Sequence, residues 1–195
     1  MKKILLLTCL IIFIPYIIVT IFIQDDEIKL IYHSNMSIRV KKVDTNEIVS
    51  VPFEDYIIGV LAGEMPVNFE LEALKAQAVA ARSYVMKQMA YNKDKEYDVV
   101  DTVKNQVYLD ENYLKQAWKE EYTTKINKIK TAVLETYNEY LEYDGEVVEA
   151  MFFSTSVGKT ENSEEVFSSA KPYLRSVDSS WDSISPAYEI NYSFT

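Results

Sequence analysis

Cysteine and histidine are almost missing from this chain of 195 residues: Cys9 and His33 are the single examples of each. One cysteine cannot form a disulfide within the chain, and one of each cannot assemble a Cys/His zinc site, so no metal or other cofactor is expected. Nucleophilic catalysis of the Ser-His-Asp or Cys-His kind would have to draft His33 or Cys9, and neither lies beside a plausible partner. Glycine is also scarce, at 4 residues, so each one marks a place worth explaining. Basic residues are outnumbered, 20 Lys and Arg against 30 Asp and Glu. Removing Lys2 and Lys3 with the apolar N-terminal segment leaves 18 basic and 30 acidic residues, a formal charge of −12 on the remainder. That balance opposes nucleic-acid binding, which depends on neutralising phosphates, and disfavours broad attraction to anionic surfaces.

One long hydrophobic run is present. Ile4 to Ile23 is unbroken, preceded by Lys2 and Lys3 and followed by Asp25, Asp26 and Glu27. As a helix rising 1.5 Å per residue it would extend about 30 Å, the thickness of a bilayer core. The lysine bias predicts a cytoplasmic N-terminus and a domain on the extracytoplasmic side of the cell membrane. A cleaved leader would have a shorter apolar region and a small-residue exit site. The expectation is therefore a single-pass signal anchor over residues 1–23 and a juxtamembrane stalk over 24–36, with the membrane contacted through residues 4–23.

The remainder predicts an α+β domain over 37–182 and a C-terminal tail over 183–195. Ser37 to Val43 alternates as a strand, Asp44-Thr45-Asn46 supplies a turn, and Glu47 to Val51 forms the hairpin partner. A central helix pair follows. The first spans Phe53 to Ala62, with Tyr56, Ile57, Val60 and Leu61 at helical spacing. Gly63 ends it, Pro66 delays resumption, and Asn68 can cap a second helix whose apolar side is Leu71, Leu74, Ala78, Ala81 and Val85. Tyr97 to Tyr108 mixes strand and loop. Glu111 to Glu121 and Thr124 to Thr136 read as helices, the latter with Ile126, Ile129, Ala132 and Val133 on one side. Tyr137 to Thr155 reads as a long hairpin about Asp144-Gly145. Most of the 15 tyrosines are expected to build the core and its edges.

One carboxylate stands in the break between the paired helices. Glu64 would lie just past a helix C-terminus, where carbonyl dipoles and apolar neighbours discourage ionisation. A general acid needs such a setting; an ordinary loop carboxylate is the equal alternative. Lys75 and Arg82, seven residues apart, share a face of the second helix about 10 Å apart along the axis. They are either solvated edge residues or the lining of a groove that holds a polar ligand. Ser154-Thr155-Ser156-Val157-Gly158-Lys159-Thr160-Glu161-Asn162 is a polar loop that either binds sugar hydroxyls, chiefly through Ser154, Ser156 and Lys159, or satisfies itself.

Asp55-Tyr56-Ile57-Ile58-Gly59-Val60-Leu61-Ala62-Gly63-Glu64-Met65-Pro66, followed by Glu72 through Tyr84, resembles the stage II sporulation protein D family. Further matching segments are Asp101 to Tyr108, Ser154-Thr155-Ser156, Thr160-Glu161-Asn162, and Pro172-Tyr173-Leu174 through Trp181-Asp182. The resemblance implies a membrane-anchored lytic transglycosylase that acts on peptidoglycan during spore engulfment, with Glu64 catalytic. It implies that Lys75, Arg82, Tyr173 and Arg175 orient the glycan. Peptide-stripped glycan strands would be the substrate and 1,6-anhydro sugars the product. A cell-wall amidase and other sporulation membrane proteins are the implied partners, since similar domains occur in amidase enhancers. The alternatives are a non-catalytic wall-binding enhancer or a structural subunit of an engulfment complex. This chain departs from the family at Phe153, Val157 and Ser180, where histidine, glycine and proline are usual. Some relatives carry Cys and His where Val103, Lys104 and Asn105 stand here. Relatives also continue past the Trp-Asp motif, so the usual C-terminal part is expected to be missing.

Overall fold

The computed structural model describes residues 9, 11–17, 26–30 and 36–189. Strands β1 (Ser37–Lys41) and β2 (Ile48–Pro52) form the expected hairpin, with Ile38 opposite Val51 and Val40 opposite Val49. Asn46 takes the left-handed turn conformation at φ 58°, one that asparagine tolerates better than most residues. A two-residue strand β3 (Val99–Val100) pairs in parallel with the other edge of β1, so the sheet order is β2-β1-β3. Arg39 anchors that crossover: its guanidinium donates to both oxygens of Asp98, at 2.6 and 3.2 Å.

Helix α1 (Phe53–Glu64) starts directly from β2 and is buried along most of its circumference, through Phe53, Tyr56, Ile57, Val60 and Leu61. Burial on opposite sides means that it sits inside the core rather than on it. The sheet, α2 (Leu71–Tyr91) and α4 (Tyr122–Glu135) enclose it. Leu74, Ala78, Ala81 and Val85 of α2 are fully buried, as their spacing predicts, and small alanines let the helices approach closely. The apolar side of α4 is also the predicted one: Ile126, Ile129, Ala132 and Val133. A short α3 (Glu111–Trp118) precedes it, capped by Asp110, whose side chain accepts from Tyr113 N.

Several expectations need correction. The predicted transmembrane helix is not supported: among the described residues, no helix is long and apolar enough to cross a membrane. Within the apolar run, Cys9 and residues 11–17 are helical. Residues 4–8, 10 and 18–23 of the run, like His33, lie outside the described set, and the single-pass cell-membrane location inferred from the run falls with the helix. Residues 26–30 of the expected stalk lie against α4, where Asn127 accepts from Ile28 N at 2.8 Å and Lys130 pairs with Glu27 at 2.7 Å.

Asn68 does not cap α2. Pro66 to Phe69 close a turn, with Phe69 N donating to Pro66 O at 3.1 Å, and the helix begins two residues later behind Glu70. Glu64 is the last residue of α1 rather than a residue beyond it.

The long hairpin after Tyr137 shrinks to two-residue strands, β4 (Glu142–Tyr143) and β5 (Glu146–Val147). Its tight turn is the predicted one, with Asp144 and Gly145 at φ 53° and 79°. Side chains take the neighbouring backbone donors: Ser83 Oγ accepts from Leu141 N at 2.8 Å, and the Tyr173 hydroxyl accepts from Glu149 N at 3.3 Å. Past β5 the chain runs in turns, with a helical turn α5 (Ser163–Val166) and a 3-10 helix over Ser180–Ile184.

Candidate active site

Two of the four glycines prepare the surface on which the site is built. Gly59 and Gly63 stand one helical turn apart on α1, and the segment Val107–Leu109 lies directly against them. A Cβ at Gly63 would come within 2.7 Å of Val107 O, and one at Gly59 within 2.5 Å of Leu109 O and 2.4 Å of the Tyr108 ring. Only a helix without side chains at these points admits the crossing backbone. Tyr108 then stacks on Tyr56, with ring centroids 5.3 Å apart and planes 17° from parallel.

This crossing delivers an amide to Glu64. Val107 N donates to Oε1 at 2.6 Å, while Oε2 has no hydrogen-bond partner among the described residues. The amide is itself held in place by the preceding residue. Gln106 is fully buried; its Oε1 accepts from the Tyr56 hydroxyl at 3.2 Å and its Nε2 donates to Ala81 O at 3.4 Å, so one side chain ties the segment to both α1 and α2. Asn105 adds a third tie, accepting from Val100 N at 2.9 Å and donating to the Tyr84 hydroxyl at 3.1 Å. Burial raises the pKa of Tyr84 above the ordinary phenol value, so its hydroxyl keeps its proton at neutral pH.

Glu64 is half-buried on the wall shared by two clefts. One, of about 580 Å³, is lined by Met65, Pro66, Trp118 and Lys125. The other, of about 370 Å³, is lined by Tyr84, Lys104, Asn105 and Phe152. Among the described lining residues of both, Glu64 is the one acidic side chain. A carboxylate on a cleft wall, with one oxygen held by an amide, can hold and release a proton at a fixed point in space.

The cations picked from the sequence lie elsewhere. Arg82 is 1% exposed and reaches the opposite end of α1, where it forks onto Glu54 at 2.9 and 3.3 Å and caps Glu139 O at 2.9 Å. Lys75 lies between Glu72 and Glu135, each at 2.7 Å; those hydrogen bonds raise its pKa, Glu135 contributing most. Neither lines a cleft with Glu64. Arg175 is forked onto Glu164 at 2.6 and 2.8 Å. That pair holds the Glu164 carboxyl down at about 2.

The polar loop is largely self-satisfied. Ser156 is buried against Ser179, its amide donates to Asp182 at 2.7 Å, and its Oγ accepts from Gly158 N at 3.1 Å. Gly158 takes the positive φ of that turn, 99°, so Val157 needs no left-handed backbone. Ser154 and Lys159 are exposed, and Tyr173 packs on Tyr143 with centroids 5.6 Å apart. The structure thus groups Glu64 with Tyr84, Lys104, Asn105, Trp118 and Lys125, none of which is among the site residues expected from the sequence. The Gly59–Gly63 spacing was the available signal that another segment would cross α1 there.

Comparison with known proteins finds relatives among sporulation and cell-wall proteins. Stage II sporulation protein D of Bacillus subtilis (strain 168) is 45% identical over 83% of this chain and 48% of its own length. The corresponding protein of Bacillus amyloliquefaciens is 43% identical over the same shares. An amidase enhancer of Bacillus subtilis (strain 168) is 39% identical over 60% of this chain and 14% of its own. The chain spans about half the length of the stage II sporulation protein D relatives it matches. The model of the SpoIID family, described as stage II sporulation protein, matches residues 41–143, a span that holds α1 to α4, Glu64 and the Val107 crossing, and this chain belongs to that family.

Proposed function

We propose that this chain is a sporulation cell-wall lytic transglycosylase in which Glu64 acts alone as acid and then base. The supporting observation is the solitude of that carboxylate: among the described residues it is the one acid on either cleft wall. Glycosidases that hydrolyse with two carboxyl groups place them about 5 to 9.5 Å apart. The acids at the start of α1, Glu54 and Asp55, lie about 15 and 14 Å back along the helix axis, and Glu54 is committed to Arg82.

A single carboxyl suffices where the sugar brings its own nucleophile. Protonated Glu64 donates from Oε2 to the glycosidic oxygen between N-acetylmuramic acid and N-acetylglucosamine, and the bond from that oxygen to the muramic C1 breaks. The muramic 6-hydroxyl oxygen bonds to C1, and the carboxylate takes the hydroxyl proton. Glu64 is thereby returned to its acid form, no water is consumed, and the product ends in a 1,6-anhydro ring. Val107 N–H keeps the carboxyl aimed through both transfers.

In the full chain acting on peptide-stripped glycan strands, Glu64→Ala should lower anhydro-product formation at least about 100-fold. Mass spectrometry of the products reads the result, and equal yields from both proteins would remove Glu64 from the chemistry. The amidase-enhancer relative and the engagement of Lys75, Arg82 and Arg175 in ion pairs favour a second reading, a glycan-holding domain that stimulates an amidase. Stimulation that survives Glu64→Ala would mark that role.

A further inference from the structure

The cleft between Glu64 and Phe152 carries one cation, Lys104. Lys75, Arg82 and Arg175 are each neutralised by carboxylates, and Lys125 on the other side of Glu64 is paired with Glu121 at 2.7 Å. Lys104 is exposed and has no ion-pair partner among the described residues. Its backbone is nonetheless fixed. Asn105 N closes a turn onto Thr102 O at 3.0 Å, and the Asn105 side chain bridges Val100 N and the Tyr84 hydroxyl. A flexible ammonium on a rigid base, lining the same cleft as Glu64, can receive an anion on the substrate.

The rest of the protein repels such an anion, since the chain has a formal charge of −10. A local cation in this field acts as a positional reader rather than a general attractor. N-acetylglucosamine bears no charge. Muramic acid bears one carboxyl, on its lactyl ether, which is free only when no stem peptide is attached; with a peptide it becomes a neutral amide. We infer that Lys104 is a specificity-determining residue that pairs with the free lactyl carboxylate of a muramic acid bound in the Glu64 cleft, selecting strands without stem peptides. This inference rests on the glycan-cleaving reading of Glu64.

The test compares peptide-stripped strands with the same strands after carbodiimide coupling of their carboxyls to methylamine. Wild-type full chain should prefer the carboxylate form about five-fold in kcat/KM at low ionic strength, and the preference should shrink in 1 M salt, where the screening length is about 3 Å. Lys104→Gln should bring the ratio to about one through KM, and Lys104→Arg should restore it. The same ratio is read independently of cleavage from binding of fluorescein-labelled strands to Glu64→Gln and to Glu64→Gln/Lys104→Gln. A carboxylate preference in binding that vanishes with Lys104→Gln supports the assignment even where no product forms, an outcome that would sink only the catalytic reading. A preference unchanged by Lys104→Gln, or absent from both proteins, overturns it.

Discussion

Val107 and Glu64 are 43 residues apart in sequence and 2.6 Å apart in space, amide to carboxylate. The contact exists because Val107 O and Cγ1 occupy the room that a side chain at position 63 would take. The amide that holds Glu64 depends on this crossing of a non-helical segment over a bare stretch of helix.

Gly63→Ala is the direct test. In an isolated helix alanine is more favourable than glycine by about 1 kcal/mol. Here the added methyl meets backbone at 2.7 Å, which cannot swing away. We expect a net loss of about 1–3 kcal/mol in urea unfolding and a fall in activity larger than that of a surface mutation of equal destabilisation. A more stable Gly63→Ala protein would show that the crossing yields.

Arg82 is expected to act through the fold. Its guanidinium and the Glu54 carboxylate are both almost entirely buried, so removing one partner strands the other charge. Arg82→Met should cost about 3–5 kcal/mol, and Arg82→Met/Glu54→Leu should recover most of it. Unfolding curves of the two variants decide the matter. Unchanged stability in Arg82→Met with lost glycan binding would instead return Arg82 to the substrate.

Asp110 supplies a pH signature. The Lys42 ammonium, first, and the Tyr113 amide, second, hold its pKa below the usual carboxylate value. Its contribution to stability is therefore complete above the unfolded-state value of about 3.9 and is lost as pH falls through the lower folded value. At this half-exposed site the effect is about 1 kcal/mol or less. Asp110→Asn keeps a good helix cap but removes the charge, so it should lower neutral stability by that amount and flatten the acid limb of a stability-against-pH curve below about pH 4. An acid limb as steep as wild type would discard the Lys42 pairing.

The hairpin, the paired helices and the apolar side of α4 were legible because each follows from local periodicity and turn chemistry. Leu74, Ala78, Ala81 and Val85 could be assigned to the core by spacing alone. Arg82 could not, because the same spacing serves a buried and an exposed face equally, and its partner Glu54 is 28 residues away. Asn68 was a reasonable cap from composition, but the turn after Pro66 displaced the helix start. The cleft walls were illegible for a related reason. Tyr84, Lys104, Asn105 and Trp118 come from α2, a loop and α3, and only the tertiary arrangement puts them on either side of one carboxylate. The apolar run met the bilayer criterion by length alone, whereas among the described residues no helix is long and apolar enough to cross a membrane.

The vacancy at positions 59 and 63 has a practical consequence for anyone mapping this domain by mutagenesis. Truncation scans find determinants by deleting atoms, and here there is nothing to delete. The information that aims the carboxyl is written as two hydrogens, so it will surface only in experiments that add bulk, and a map built from side-chain removal would leave the most constrained square of the helix blank.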